Sequence, residues 1–372
     1  MIVLLRRLNG GLRVDMKSFT PKSGEPMKAT RLTSLCGALA TLCAVLILAV
    51  PGGVTAQTTV RFASAGGSSD GGIHLAEELG FFKEAGLQVV LQRMPNPTTL
   101  MTALATDQLD VAGILITPGL FTSVQQGIEI RIVGDKQSLS NGFAAVQLLV
   151  RTELTKGSDE ETIRALKGRT VAVSSKASAG YLQLKNVFAD EGLTLNDVKT
   201  TEISLANMTA AMTTGAVDAV VAIEFFTSQM IRAGVAKPVS DMRNRKERAA
   251  NARTVAVPLV YSEKFARKRE IAQAFMTAYM RGVRVYNDAF VKGKDKDRVI
   301  EVIARRAKLD PNLVRQANPS GLDPNQKVDI AGLEACQKFF IEQNFMRTPV
   351  DLAKVVDASF AAEAVRQLGE YK

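Results

Sequence analysis

Two stretches of the chain carry the same order of apolar and polar positions. FKEAGLQVVL (82 to 91) leads into TLMTALATDQLDVAGI (99 to 114), and FADEGL (188 to 193) leads into NMTAAMTTGAVDAVVAI (207 to 223). In each copy apolar residues at i, i+3 and i+4 spacing predict a helix, which closes at Gly86 or Gly192, where glycine reaches a left-handed conformation cheaply. A short strand, a second amphipathic helix and a polar turn follow, and the chain enters an apolar strand through Asp110 or Asp218. Before each copy stands a strand with a polar loop, VRFASAGGSSDGG (60 to 72) and TVAVSSKASAG (170 to 180). Strand, helix, strand, helix, strand, given twice, predicts right-handed crossovers and one parallel-type sheet per lobe. VAGILI (111 to 116) and AVVAI (219 to 223) read as strands buried on both faces.

AAVQLLVR (144 to 151) and TVAVPLVY (254 to 261) are extended and apolar and flank the second copy, so both read as crossing strands of a two-strand hinge. From Ser262 onward the helical spacing of REIAQAFMTAYMRGVRVYNDAF predicts a tail that returns to the first lobe. The expectation is an α/β protein of two lobes flanked by helices: 57–148 with 259–372, and 149–258. Ligands of open α/β sheets bind at the carboxyl ends of the strands, here the mouth of a shared cleft.

The first fifty-six residues read as export. LCGALATLCAVLILAV (35 to 50) is uncharged, follows Lys28 and Arg31, and ends in Pro51-Gly52-Gly53-Val54-Thr55-Ala56, the order of a secretory signal with cleavage before Gln57. Met27 stands where such a signal begins, which leaves residues 1–26 as an extension without periodic pattern. A retained membrane anchor is the other reading of the apolar run. The whole chain has 47 Lys and Arg against 37 Asp and Glu; residues 1–56 hold seven of the first and two of the second, so cleavage leaves 40 against 35, a net charge of +5. Cys36 and Cys43 leave with the signal, Cys336 stays alone, and no intrachain disulfide can form in a periplasmic protein. Leu35 and Leu42 precede those cysteines where lipoprotein signals carry a small residue.

Composition excludes several chemistries. One His cannot supply the two-His face of a zinc hydrolase, one His with three Cys argues against a structural zinc site, and no GxxxxGK[ST] loop is present. We expect no catalytic residue, metal or cofactor. RNRKER (243 to 248) and ARKR (266 to 269) lack interleaved aromatics and read as solvated faces, not as a nucleic-acid surface.

Candidate binding groups lie on the loops. Ser64, Gly66, Gly67, Ser68 and Asp70 precede a helix, where backbone N–H groups offer an anion site, or where Ser69 or Asp70 simply caps a turn. Ser174, Lys176 and Ser178 open the matching helix and add a cation, which reads either as the partner of an anionic ligand or as a solvated lysine. Asn96, Thr98 and Thr117 follow strands of the first lobe, Asn207 and Glu224 those of the second; either Asn can equally cap the next helix. His74, the only imidazole, stands on the first turn after the glycine loop and reads as a donor to a ligand oxygen or as a buried structural residue.

HLAEELGFFKEAGLQVVL, ALATDQLDVAG, LKGRTVAVSS, AMTTGAVDAVVAIE and PVDLAKVVDASF, in this order, resemble the periplasmic substrate-binding proteins of ABC importers, in the group that binds sulfonates, taurine, nitrate and pyrimidine precursors. The resemblance covers nearly all of residues 58–368. It implies a two-lobed flytrap fold, capture of a small solute, delivery to a membrane permease with its ATPase, and a monomer without nucleic-acid partners. Glu224-Phe225 departs from the Glu-Pro or Ala-Pro of the group, and Thr117-Pro118 stands where it has a Ser-Pro or similar pair. Tyr181 falls where a member can present an aromatic ring to the ligand, and Tyr181 with Phe225 would suit an aromatic solute. The ligand expected is a small organic anion, a sulfonate or carboxylate; a neutral pyrimidine-type solute, an enzyme on the same fold and a ligand-sensing domain for a receptor are the alternatives.

Overall fold

In a computed structural model, which describes residues 4–8, 11–15, 57–94, 96–139, 143, 146–240 and 254–372, the sequence repeat becomes two five-stranded sheets. The first half runs β1 (Thr58–Ser64), α1 (Gly71–Glu78), α2 (Phe81–Glu84), β2 (Leu87–Arg93), α3 (Pro97–Ala105), β3 (Val111–Gly113), α4 (Pro118–Gln125) and β4 (Ile130–Leu139). The second runs β5 (Val146–Arg151), α5 (Asp159–Arg164), β6 (Thr170–Val173), α6 (Ala179–Asp190), β7 (Lys199–Glu202), α7 (Leu205–Thr213), β8 (Ala219–Ile223), α8 (Phe226–Arg232) and β9 (Ala236–Ser240). Then come β10 (Thr254–Ser262), α9 (Glu263–Arg267), α10 (Arg269–Lys292), α11 (Lys296–Ala307), α12 (Pro311–Gln316), α13 (Ile330–Glu342) and α14 (Ser359–Leu368).

The strand orders are β2-β1-β3-β10-β4 and β7-β6-β8-β5-β9, the same topology twice. In the first sheet β1 is parallel to β2 and β3, whereas β10 is antiparallel to β3 and β4. In the second β6 is parallel to β7 and β8, whereas β5 is antiparallel to β8 and β9. The sheets are therefore mixed, not wholly parallel: the parallel part is the β-α-β-α-β repeat, and the two extended segments flanking the second copy supply the antiparallel strands.

Both aspartates of the repeat do the same work. Asp110 Oδ2 accepts from the Arg61 backbone N–H at 2.8 Å and Nε at 2.9 Å, and Asp218 Oδ2 accepts from the Thr170 N–H at 2.9 Å. Each carboxylate thus ties the entry of the third strand of a repeat to the first, a local reason for an Asp at that point. Gly86 and Gly192 have φ of 72° and 71°, the left-handed closure expected of them.

The tail helices cover the first sheet. On α10, Phe275 packs among Phe62, Phe82, Tyr261 and Tyr279, with ring centroids 5.2–6.3 Å apart. Helix α10 approaches α1 closely enough that a Cβ on Gly282 would stand 2.3 Å from the Gly72 carbonyl oxygen. Helix α13 instead joins a core running from Leu100 and Phe121 in the first lobe, through Leu333, Cys336, Phe339 and Phe340, to Leu184 and Val221 in the second. Residues 56–372 form one compact unit.

The antiparallel pair Leu4–Leu8 with Gly11–Asp15 belongs to a separate unit and was not expected from the sequence. The signal-like run 35–50 and its cleavage site lie outside the described residues. Among the described residues no helix is long and apolar enough to cross a membrane.

Candidate functional site

The loop after β1 is folded around a buried ion pair. Lys136 reaches from β4 to place Nζ 2.5 Å from Asp70 Oδ1 and 2.8 Å from Ser69 Oγ, while Ser64 Oγ donates to Asp70 Oδ2 at 2.8 Å. Lys136 is 1% and Asp70 3% exposed. The lysine stem lies across Gly113 of β3, where a Cβ would stand 2.1 Å from its Cδ, so only glycine leaves it a path. Burial pushes the Asp70 carboxyl up, but Lys136, His74 and the Ser64 hydroxyl outweigh it and hold the group below its ordinary value. Burial lowers His74, and Lys136 and Arg306 reinforce that against Asp70; the net shift is downward, which favours the neutral imidazole.

Asp70 is the N-cap residue of α1, yet its carboxylate makes no capping bond there and is spent on Lys136 and Ser64. In the matching loop the Lys176 backbone N–H donates to Glu202 Oε1 at 2.6 Å, while Ser178 caps α6 itself. Of the four glycines in the first loop, Gly66 and Gly67 face the cleft. Gly71 and Gly72 are needed for packing, since a Cβ on them would stand 2.7 Å from the Tyr286 ring and 2.6 Å from Val283.

Between the lobes lies a cavity of about 440 Å³. The first lobe lines it with Ser64, Gly66, Gly67, Asp70, His74, Leu91, Gln92 and Arg93, the second with Phe225, Phe226 and Gln229, and the end of α11 with Arg306, Ala307, Lys308 and Leu309. Arg306 is committed to Glu77 at 3.3 Å and Glu78 at 3.0 Å. Arg93 Nε donates to the Ala65 carbonyl at 3.2 Å.

Six residues singled out in the sequence therefore meet at one cavity: Ser64, Gly66, Gly67, Asp70, His74 and Phe225. Glu224 lies behind it and is consumed by the protein. Its Oε1 accepts from the Asn318 N–H at 3.1 Å, its Oε2 accepts from Ser228 Oγ at 2.7 Å, and its carbonyl accepts from the Ser68 N–H at 3.4 Å. Ser68 Oγ is bonded to Ser320 Oγ. These contacts join the second lobe to the first.

The remaining residues do not line this cavity. Asn96, Thr117 and Ser178 are N-caps of α3, α4 and α6, and the Thr98 N–H is one of those that Asn96 receives, at 2.8 Å. Ser174 and Asn207 are exposed and Lys176 is half-buried. Tyr181 is buried edge-on against Phe339 with centroids 6.1 Å apart, which makes it part of the packing of α13.

Sequence alone did not single out Arg93, Lys136, Phe226, Gln229, Arg306 and Lys308. Arg93 was within reach, for it is the last residue of β2 and stands, like Ser64, at a strand carboxyl end. Lys136 carried a weaker signal, an Asp135-Lys136 pair following the apolar start of the strand IRIVGDKQSL, since buried charges are rare unless paired.

Solved structures share this architecture. The alkanesulfonate-binding protein SsuA from Xanthomonas axonopodis pv. citri, bound to MOPS, superposes with a TM-score of 0.61 at 20% identity over 81% of this chain and 98% of its own. The periplasmic nitrate-binding protein NrtA from Synechocystis PCC 6803 gives 0.67 at 14% identity over 84% and 89%. A mutant of DszB in complex with biphenyl-2-sulfinic acid gives 0.59 at 17% over 84% and 99%; DszB is a desulfurization enzyme. At such identities the likeness shows the fold, the two-lobed form of the periplasmic binding proteins. No curated protein sequence matches significantly. The profile described as NMT1/THI5 like matches residues 69–288, from the end of the glycine loop through both copies of the repeat and most of α10, and on this match over more than half of its length the chain belongs to the NMT1/THI5-like family.

Proposed function

We propose that this protein is the extracytoplasmic solute-binding component of an ABC importer, which captures a small organic anion between its lobes and delivers it to a permease with its ATPase. The observation that carries this reading is the 440 Å³ cavity lined from both lobes and by three cationic side chains, Arg93, Arg306 and Lys308, against the single, already paired carboxylate of Asp70. A ligand that touches both lobes favours their closed arrangement by its differential affinity. In this reading the lobes comprise 57–148 with 259–372, and 149–258, hinged at the crossing strands. The protein is a periplasmic monomer released by cleavage before Gln57, and Ser64, Gly66, Gly67, Asp70, His74 and Phe225 belong to the binding surface.

Binding rather than catalysis is supported by how the polar groups are spent. Ser64 and Ser69 are held by Asp70 and Lys136, and Cys336 is buried in α13 with its thiol pushed up to about 12 by desolvation. A thermal-shift screen of residues 57–372 against sulfonates, carboxylates, nitrate, pyrimidines and amino acids tests the reading. A solute at 100 times its Kd adds about 2.7 kcal/mol and raises the midpoint by several degrees. A hit recovered unchanged by mass spectrometry supports capture. A hit returned chemically altered points to an enzyme, as DszB is on this fold, and a hit only among pyrimidines removes the anion.

A further inference from the structure

We infer that Arg93 receives the anionic group of the solute and that Phe225 and Phe226 select a flat aromatic body, so that the cavity takes an aromatic monoanion, an arylsulfonate or arylcarboxylate, in preference to an inorganic oxyanion. This rests on the solute-binding reading and goes further by naming the ligand's two ends. The Asp70 carboxylate beside α1 is already paired with Lys136, and the start of α6, capped by Ser178, does not line the cavity, so the ligand's charge falls to the cations that do. Arg306 is paired twice with glutamates, and Lys308, exposed as Arg93 is, offers a point charge without a planar fork.

Arg93 differs from both. Its side chain lies over Gly66, where φ is +78° and a Cβ would stand 2.7 Å from Nε. The 3.2 Å bond from Nε to the Ala65 carbonyl orients the exposed guanidinium at the cavity wall, and its terminal nitrogens have no ion-pair partner among the described residues. A planar fork so held matches the paired oxygens of a sulfonate or carboxylate. Leu91 beside it on β2, with Leu309, Phe225 and Phe226 from other elements, gives the cavity an apolar lining. The volume of about 440 Å³ is of the class that encloses organic ligands, roughly 300–1,000 Å³.

Calorimetry on the purified protein with benzenesulfonate, ethanesulfonate, nitrate and the neutral benzenesulfonamide tests the assignment. Benzenesulfonate should bind most tightly, and Arg93→Gln should weaken it by about tenfold to hundredfold, the worth of a charge-assisted hydrogen bond, without moving the melting midpoint. Arg93→Lys should recover only part of that affinity. Phe226→Ala should erase most of the preference for benzenesulfonate over ethanesulfonate while ethanesulfonate binding stays within a few-fold. Unchanged benzenesulfonate binding in Arg93→Gln, nitrate bound as tightly as benzenesulfonate, or benzenesulfonamide equal to its anion would each overturn the inference. If aromatic anions fail while another solute of the wider screen binds, this inference falls and the solute-binding reading stands; if no solute binds, both fall.

Discussion

The loops at 64–70 and 174–180 occupy equivalent places in the two lobes, each following the first strand of a repeat and opening a helix, yet they have opposite fates. In the first, Ser64, Ser68, Ser69 and Asp70 are all less than 10% exposed, and the carboxylate is matched by Lys136 arriving from another strand. In the second, Ser174 is exposed, Ser178 caps its own helix, and Lys176 stays half-buried at the rim. Similar Ser and Gly content therefore does not decide which loop meets a ligand. What decides is whether a neighbouring strand brings a charge into the loop's interior, because a buried charge fixes the loop in one conformation and turns its glycines toward the cleft.

The sharpest way to break this contrast is to remove one lysine from each loop's surroundings. Lys136→Met leaves Asp70 buried without its partner, and loss of one member of a buried pair costs about 3–5 kcal/mol. Lys176→Ala removes a half-exposed side chain and leaves the bond from its backbone N–H to Glu202 in place, and the expected change is within about 0.5 kcal/mol. Urea unfolding followed by circular dichroism reads both. Equal, small losses would mean that the Asp70 carboxylate is solvated, and the contrast between the loops would disappear.

The repeat, the strand ends and the helix-closing glycines were legible because they are local: periodicity, a left-handed glycine, an Asp that binds the strand beside it. Asp110 and Asp218 are paired about fifty residues away, yet the second copy of the motif exposed their shared role. The candidate site was legible only in part, and for a physical reason. Ser64, Gly66 and Asp70 are near neighbours in the chain, whereas Lys136, Arg93 and Arg306 reach them from β4, β2 and α11, and nothing in one sequence says which distant cation will neutralise a given carboxylate. Lys176 was visible as a charge, but the sequence does not show that its loop stands away from this cavity, held by its backbone N–H on Glu202 of another strand. Tyr181 misled because an aromatic side chain on a helix's first turn serves ligand or core equally well, and α13 decides for the core.

A smaller effect sharpens the comparison at the helices that the loops open. Gly282→Ala would force a methyl to within 2.3 Å of the Gly72 carbonyl oxygen, an overpacking against backbone that costs about 1–3 kcal/mol. A methyl on Gly180, just inside α6, would find its nearest neighbours 3.6 Å away, so Gly180→Ala should instead stabilise by about 0.5 kcal/mol through lower unfolded-state entropy. Opposite signs in thermal denaturation would show that the first lobe's helix is pinned by tail helix α10 and the second lobe's is not. The same sign for both would remove that distinction.

The smallest expected effect belongs to the one titratable group that only the first loop has beside it. His74 is 5% exposed, with a pKa depressed below 6.5 by burial and by Lys136 and Arg306. Just below pH 6.5 the unfolded chain therefore takes up a proton that the folded one refuses, and stability declines as the pH falls from 6.5 toward the depressed value. Above 6.5 the contribution is fully present. Asp70, also depressed, acts in a separate window: its contribution is present above the ordinary carboxylate range and is lost as the pH falls through its lowered pKa. Unfolding midpoints in urea at pH 7, 6 and 5 should slope downward in the wild type and flatten in His74→Asn, because this is the only imidazole in the chain. A wild-type midpoint that stays level over that range would mean a solvated imidazole. The wall of the cavity at α1 would then be open to water, and the first loop would be no better enclosed than the second.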